Sequence, residues 1–200
     1  MAQKSTTLLS QKSHKANITV EGGASFTVNG SEYKITSTNT SLGSLAKFDI
    51  ITVSNTDLNN STFTVKSVAS DGLSITVEEV VQAETRDAST DTVIDHVGFV
   101  SNKVKGDGYY NRPDGVHTVA YHVDASVNDD ANINIKMQGS LATDPSEDDY
   151  FDISGTTINQ NNIDGSTLAF TANFTGNFVW VRAKITGLTA GSITKILYNN

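Results

Sequence analysis

Histidine is the side chain most often used for acid–base catalysis and metal binding near neutral pH, and the chain carries four. Two of them, His117 and His122, lie in one stretch whose apolar residues alternate as in a β-strand. Because side chains of a strand alternate between its two faces, this spacing places the two imidazoles on opposite sides and excludes a shared metal ion without a bulge. His117 shares its face with Val119 and Tyr121. We therefore expect His117 to be half-buried and hydrogen-bonded, and His122 to be solvated.

Acidic residues gather in two segments that offer the hard oxygen ligands preferred by calcium. They are Asp124, Asn128, Asp129 and Asp130 in the first segment, and Asp144, Glu147, Asp148 and Asp149 in the second. Neither segment fits the EF-hand pattern. In an acidic protein such segments are typical of solvated loops, and we predict no metal site and no cofactor.

Motifs for nucleophilic or phosphate chemistry do not occur in the sequence. No serine lies in a G-x-S-x-G elbow, and the patterns G-x-x-x-x-G-K-[ST] and G-x-G-x-x-G are missing. The chain has no cysteine, which excludes thiol nucleophiles and disulfides. An enzyme is not expected.

The charge and hydropathy of the chain argue against two classes of partner. Lys and Arg number 14 and Asp and Glu 22, and the net charge of −8 repels phosphate backbones and anionic lipids. No apolar run approaches the length of a membrane span, and the opening residues lack the apolar segment of a secretory signal. We predict neither a nucleic-acid partner nor a membrane partner.

The segment NFVWVRAKI carries the most information about binding. Alternation assigns Val179, Val181, Ala183 and Ile185 to the core, and assigns to the outer face Phe178, Trp180, Arg182 and Lys184. The only tryptophan of the chain beside an arginine favours a subunit interface, and a sugar-stacking platform is a second interpretation. Burial of both faces inside a sandwich is a third. Tyr109 and Tyr110 are further candidates for the binding surface.

Residues 1–16 form a basic segment that precedes an acidic body. They contain Lys4, Lys12 and Lys15, and the first acidic residue is Glu21. Charge complementarity predicts an N-terminal arm that lies against a neighbouring subunit, with these three lysines as contacts.

The elements that position these residues are predicted to be short strands. Apolar alternation is interrupted by hairpin signals such as Asn29-Gly30 and Asp71-Gly72, and helical periodicity is missing. We expect an all-β protein, with a small β-barrel or compact sandwich over residues 17–98. An antiparallel, jelly-roll-like β-sandwich follows over residues 99–200, with one helical turn at DPSE.

Two stretches resemble known structural proteins. FDIITVSNTDLNNSTFTVKSVASDGLSITVEE, from about Phe48 to Glu79, resembles a segment that recurs in structural proteins of tailed bacteriophages. The second stretch consists of GYYNRPDGVHTVAYHV, IKMQGSLATDPSEDDYFDI and FTGNFVWVRAKITGLTAGSITKILYNN. It is similar to sandwich modules of virion proteins from contractile-tailed phages of marine cyanobacteria.

The resemblance implies a non-enzymatic virion structural protein that is assembled in the host cytoplasm. Its partners would be other virion proteins and further copies of itself, and its place would be the capsid, the neck or the tail. Because the chain has no heptad repeat, a decoration or connector subunit is favoured over a fibre shaft. The alternative is a glycan-binding adhesin module on the virion surface, which would bind through Trp180, Tyr109 or Tyr110.

Overall fold

The computed structural model of the chain describes residues 5–85, 87–112, 115–125 and 130–200. In chain order the strands are β1 (Ser5–Leu9), β2 (Lys12–Ser13), β3 (Ile18–Val20), β4 (Ser25–Asn29), β5 (Glu32–Thr36), β6 (Asp49–Ser54), β7 (Thr62–Val68), β8 (Ser74–Val77) and β9 (Thr92–Val100). They continue with β10 (Val104–Lys105), β11 (Val116–Asp124), β12 (Ala131–Ser140), β13 (Phe151–Asp152), β14 (Ile158–Ile163), β15 (Thr167–Thr175), β16 (Trp180–Thr186) and β17 (Ser192–Asn199). Two short 3-10 helices cover Asp107–Tyr110 and Glu147–Asp149.

The all-β class is confirmed. The sheets are large, open and antiparallel, which is consistent with a β-sandwich, and they are not closed barrels. Of the two forms expected for the first half, the barrel is therefore not adopted. Within the described part of the chain, no helix is long and apolar enough to cross a membrane.

The chain divides into two compact units, one of which interrupts the other in sequence. The first, which we call the inserted unit, is Lys15–Phe99. The second, which we call the split unit, combines the residues up to His14 with Val100–Asn200. The later boundary lies beside the predicted one at residue 98, whereas the segment that precedes the inserted unit belongs to the split unit.

The inserted unit is an antiparallel sheet in the order β9-β6-β7-β8-β5-β4, and β3 pairs with β9. Asn29-Gly30 joins β4 to β5 and Asp71-Gly72 precedes β8, as the two hairpin signals predicted. Its core is made of aliphatic and aromatic residues from these strands and the loops between them. The largest are Phe26, Ile35, Leu42, Ile51, Phe63, Ile75 and Ile94. Burial of these side chains is the main stabilising term for the unit.

The split unit contains two antiparallel groups of strands. In the first the order is β1-β17-β11-β15, and β2 also pairs with β17. In the second the order is β13-β12-β16, with β14 on β12 and β10 on β16. One face of each group is buried, as the alternating exposure along β11 and β12 indicates.

Among the residues that the structure describes, the prediction of a separate N-terminal arm is wrong. β1 pairs antiparallel with β17 from Ser5↔Asn199 onwards, and β2 pairs with β17 at Lys12↔Ile193. Leu8 and Leu9 are buried. The segment therefore completes a sheet of its own chain, because β17 would otherwise present an unpaired edge and the leucines would otherwise be exposed.

Replacement of Leu8 by alanine tests this role of β1. Since Leu8 is fully buried, we expect Leu8→Ala to lower the free energy of unfolding by about 2–5 kcal/mol, measured by urea denaturation. Thr7→Ala, at an exposed position of the same strand, is the control and should change it by less than about 0.5 kcal/mol. A Leu8→Ala protein as stable as the wild type would restore the interpretation of an arm that lies against a neighbouring subunit.

Candidate binding surface

Phe178 and four glycines determine how the split unit presents its aromatic residues. The Phe178 ring packs where a Cβ atom of Gly139 or Gly176 would lie, and its backbone carbonyl packs against Gly106. At Gly108 a Cβ would lie 2.8 Å from the Asn177 carbonyl oxygen. Only glycine permits these approaches, and Gly176 also has a φ of 150°.

The 3-10 helix Asp107–Tyr110 is fixed on the segment before β16 by two backbone hydrogen bonds. The Gly106 N–H donates to the Val179 carbonyl (3.0 Å), and the Gly108 N–H donates to the Phe178 carbonyl (2.8 Å). Because Trp180 is the first residue of β16, this docking places Tyr109 and Tyr110 beside it. No pattern in the sequence had predicted this helix.

Three aromatic rings form a continuous group at the surface. The Tyr109 ring centroid lies 5.2 Å from that of Trp180 and 5.3 Å from that of Tyr110, and both pairs are edge-to-face. Tyr109 is 41% exposed and Tyr110 50%. Trp180 is partly buried and its Nε1 donates to the Thr143 carbonyl at 2.9 Å. The rings are therefore held in place and open to a partner.

Each of the three rings carries a cation over its face. The ammonium or guanidinium groups lie within 5 Å of the ring centroids, close enough for cation–π attraction. The pairs are Lys103 on Trp180 at 4.8 Å, Lys105 on Tyr109 at 3.8 Å, and Arg112 on Tyr110 at 4.9 Å. We call these six residues the aromatic–cationic cluster.

The cluster is locally positive on an acidic protein. A hydrogen bond with Tyr109 is the main cause that raises the pKa of Lys105, so its ammonium stays charged. Among the described residues, the carboxylate paired with a cation of the cluster is that of Asp144, which lies 3.5 Å from Lys103 and is 99% exposed. Aromatic residues and arginine are enriched in protein interfaces, and the cluster contributes three aromatic residues and one arginine.

Phe178 and Arg182, both predicted to lie on the outer face, are buried. The Arg182 guanidinium donates two hydrogen bonds to the Glu147 carboxylate (2.6 and 2.7 Å) and one to the Gln138 side chain (3.0 Å). It also stacks on the Tyr150 ring at 3.5 Å. Phe178 precedes β16, which begins at Trp180, so the alternation of side chains along a strand does not apply to it. For Arg182, which lies within β16, alternation gives no information about which residues of other segments cover it.

Lys184 is partly buried on β16 and is not a member of the cluster. Its charge acts on Asp152, a residue of β13. Burial alone would raise the pKa of Asp152, but hydrogen bonds from Lys136 and Gln138, followed by the charges of Lys136 and Lys184, lower it.

The lysines predicted to be arm contacts have separate surroundings. Lys15 belongs to the inserted unit, where its ammonium forms an ion pair with the buried Asp49 carboxylate. Lys12 is partly buried in β2. Lys4 lies outside the described residues. The structure does not bring Lys12 and Lys15 into the aromatic–cationic cluster.

Two buried Asp–His pairs were not foreseen from the sequence, because their members are distant along the chain. In the split unit, the His117 Nε2–H donates to the Gly176 carbonyl (3.0 Å) and lies 3.7 Å from Asp107, while Nδ1 is hydrogen-bonded with the Tyr198 hydroxyl (2.8 Å). His117 is hydrogen-bonded as expected, but it is fully rather than half buried. Burial also raises the pKa of Tyr198.

The second pair lies in the inserted unit. The His96 Nδ1 accepts from the Lys15 backbone N–H (3.3 Å), and Nε2 lies 3.9 Å from Asp49. Both imidazoles are buried and surrounded by their own chain, an environment that suits stabilisation of the fold rather than acid–base chemistry on a substrate.

The acidic segments do not assemble a metal centre within the described part of the chain, where no group of three candidate ligands occurs. Glu147 pairs with Arg182, and Asp149 caps the helical turn by accepting from Ser146. That turn was predicted at DPSE, and it covers Glu147–Asp149 with Ser146 as its N-cap. Asn128 and Asp129 lie outside the described residues.

A scan against protein-family models and a search of curated proteins both found no match to the chain.

Substitution of Arg182 separates a structural role from an interface role. Arg182→Ala leaves Glu147 and Gln138 without their buried partner, and we expect the free energy of unfolding to fall by about 3–5 kcal/mol in urea denaturation. Lys184→Ala on the same strand is the control, with an expected loss below about 1 kcal/mol. Unchanged stability of Arg182→Ala would contradict the structural role.

The Asp49 site predicts acid sensitivity. Burial would raise the pKa of Asp49, but the nearby His96 imidazole and the hydrogen bond and charge of Lys15 lower it to about 2. As the pH falls, the unfolded state therefore binds a proton at Asp49 at a higher pH than the folded state does. The stability contributed by Asp49, about 2 kcal/mol, is complete above about pH 4 and is lost as the pH falls to about 2.

Asp49→Asn should reduce the loss of stability between pH 5 and pH 2 by about that amount, in urea titrations at each pH. Asp57→Asn, at an exposed position, is the control and should keep the wild-type pH dependence. Equal pH dependence in all three proteins would refute the assignment.

Proposed function

We propose that the chain is a non-enzymatic structural subunit of a tailed-phage virion, a decoration or connector protein of the capsid, neck or tail. It binds another virion component through the aromatic–cationic cluster. The exposed Tyr109–Tyr110–Trp180 group is the observation that carries the binding role, because Tyr, Trp and Arg concentrate the binding free energy of protein interfaces. The virion assignment is supported by the resemblance of residues 48–79 and of the second half to phage structural proteins.

The geometry of the rings favours a protein partner over a sugar. Tyr109 makes interplanar angles of 63° with Trp180 and 73° with Tyr110, so the rings do not form the flat platform on which a sugar stacks. One face of each ring is also covered by a cation. An uneven surface of rings and positive charges suits the side chains of another protein. The glycan-binding adhesin remains the alternative.

The strand pairing of the split unit is also consistent with assembly. β15 lies at the end of its sheet, and among the described residues it pairs on one side only, with β11. Side chains along it alternate between exposed and partly buried. Open edges of this kind are commonly covered when subunits associate.

The test is whether the chain is part of the particle and whether the cluster holds it there. We expect antibodies against the chain to detect it in particles purified on density gradients. When it is the only form of the chain supplied during assembly, Tyr109→Ala/Tyr110→Ala should be incorporated into particles at least ~10-fold less than the wild type. Val116→Ala, at an exposed apolar position outside the cluster, is the control and should bind normally.

Two results would contradict the proposal. The first is the absence of the chain from purified particles. The second is binding of the wild-type chain to neutral glycans that is lost in Tyr109→Ala/Tyr110→Ala, which would favour the adhesin.

A further inference from the structure

We infer that the protein partner of the aromatic–cationic cluster is a second copy of this chain, with the cluster of one copy on an acidic surface of the next. The inference rests on the proposed function as a structural subunit and identifies the component that the subunit binds.

Charge complementarity within one sequence supports this partner. The chain has a net charge of −8, yet three of its 14 basic residues, Lys103, Lys105 and Arg112, belong to the cluster. Without these three residues, the remaining part of the chain has a more negative net charge than the whole chain. An approaching copy presents mainly negative charge, which attracts the cluster once the two surfaces are within about a Debye length, whereas contact between two acidic surfaces is repulsive.

The cations are already positioned for such a contact. Lys103 and Arg112 are exposed and Lys105 is partly buried, and each is placed over a ring that limits its side-chain freedom. Less conformational entropy is then lost when a partner carboxylate binds. Within the described residues, Asp144 is the carboxylate that opposes this group, and it contacts only Lys103.

The same charges determine the symmetry of the contact. Two clusters facing each other would bring six positive groups together, and like charges in an interface are strongly unfavourable. The cluster must therefore contact a different region of the neighbour. Repetition of such a contact gives a closed ring or an open chain, unless two copies of the contact close a dimer.

Light scattering on the full chain tests the inference. At about 0.05 M salt we expect the mass of the wild type to exceed the 21.3 kDa of one chain in a concentration-dependent manner, and to fall towards it at about 0.5 M. Lys105→Glu/Arg112→Glu should associate at least ~10-fold more weakly, with an unchanged circular dichroism spectrum. The control is Lys66→Glu/Lys195→Glu, which changes the net charge by the same amount at two exposed positions outside the cluster. It should associate like the wild type.

A mixing experiment tests whether unlike surfaces are in contact. The Lys105→Glu/Arg112→Glu chain lacks a working cluster but keeps its acidic surface, so it should bind wild-type assemblies. The labelled variant is therefore expected to co-elute with the wild type and to reduce the mean assembly mass as its proportion rises. If cluster met cluster, the glutamates of the variant would face the cations of the wild type, and the mixture would associate more strongly than the wild type alone.

Three outcomes would overturn the inference: a wild-type monomer at both salt concentrations, normal association of Lys105→Glu/Arg112→Glu, or a mixture of that variant with the wild type whose mean assembly mass does not fall. A monomer in solution that is nevertheless found in purified particles refutes the second copy and leaves the proposed function standing. Self-association of a chain that is absent from purified particles would support the second copy as the partner and refute the proposed function. A monomer that binds a polyuronate through the same residues would identify an anionic sugar instead.

Discussion

The packing of Phe178 against glycine is the constraint on which the candidate binding surface depends. Its ring takes the space of a Cβ atom at Gly139 and Gly176, and its backbone leaves none at Gly106 or Gly108. Larger residues at these positions would force the backbone to move, since protein interiors are close-packed. Phe178 therefore connects the buried ring group of the split unit to the helix that carries the exposed tyrosines, although it binds no partner itself.

Aromatic residues lie on both sides of Phe178 and have different roles. On the inner side, His117, Phe174 and Tyr198 stack at centroid distances of 5.0 to 6.3 Å and bury their polar atoms in hydrogen bonds. On the outer side, Tyr109 and Trp180 meet edge-to-face beneath cations. The inner rings supply packing and a satisfied polar network, whereas the outer rings supply exposed area that loses little entropy on binding.

Local patterns in the sequence predicted what depends on neighbouring residues. Asn29-Gly30 gave a hairpin, and the alternation around His117 gave the correct buried face. Predictions that depended on distant residues were wrong. Arg182 is covered because Glu147 and Gln138 reach it from elsewhere in the chain, and residues 5–13 are strands because β17 offers an edge. Tyr109, Tyr110 and Trp180 were each identified, but their contact follows from a close approach of two backbones that no periodicity encodes.

The interruption of the split unit by the inserted unit has a consequence for biosynthesis. During translation β1 is made before the inserted unit and β17 after it, so the pairing between them waits for nearly the whole chain. The inserted unit can fold in the meantime, while Leu8 and Leu9 have no sheet to cover them. Contacts between such distant residues also slow folding. The nascent protein thus has an interval in which the two leucines are available to other chains, and the synthesis of β17 ends it.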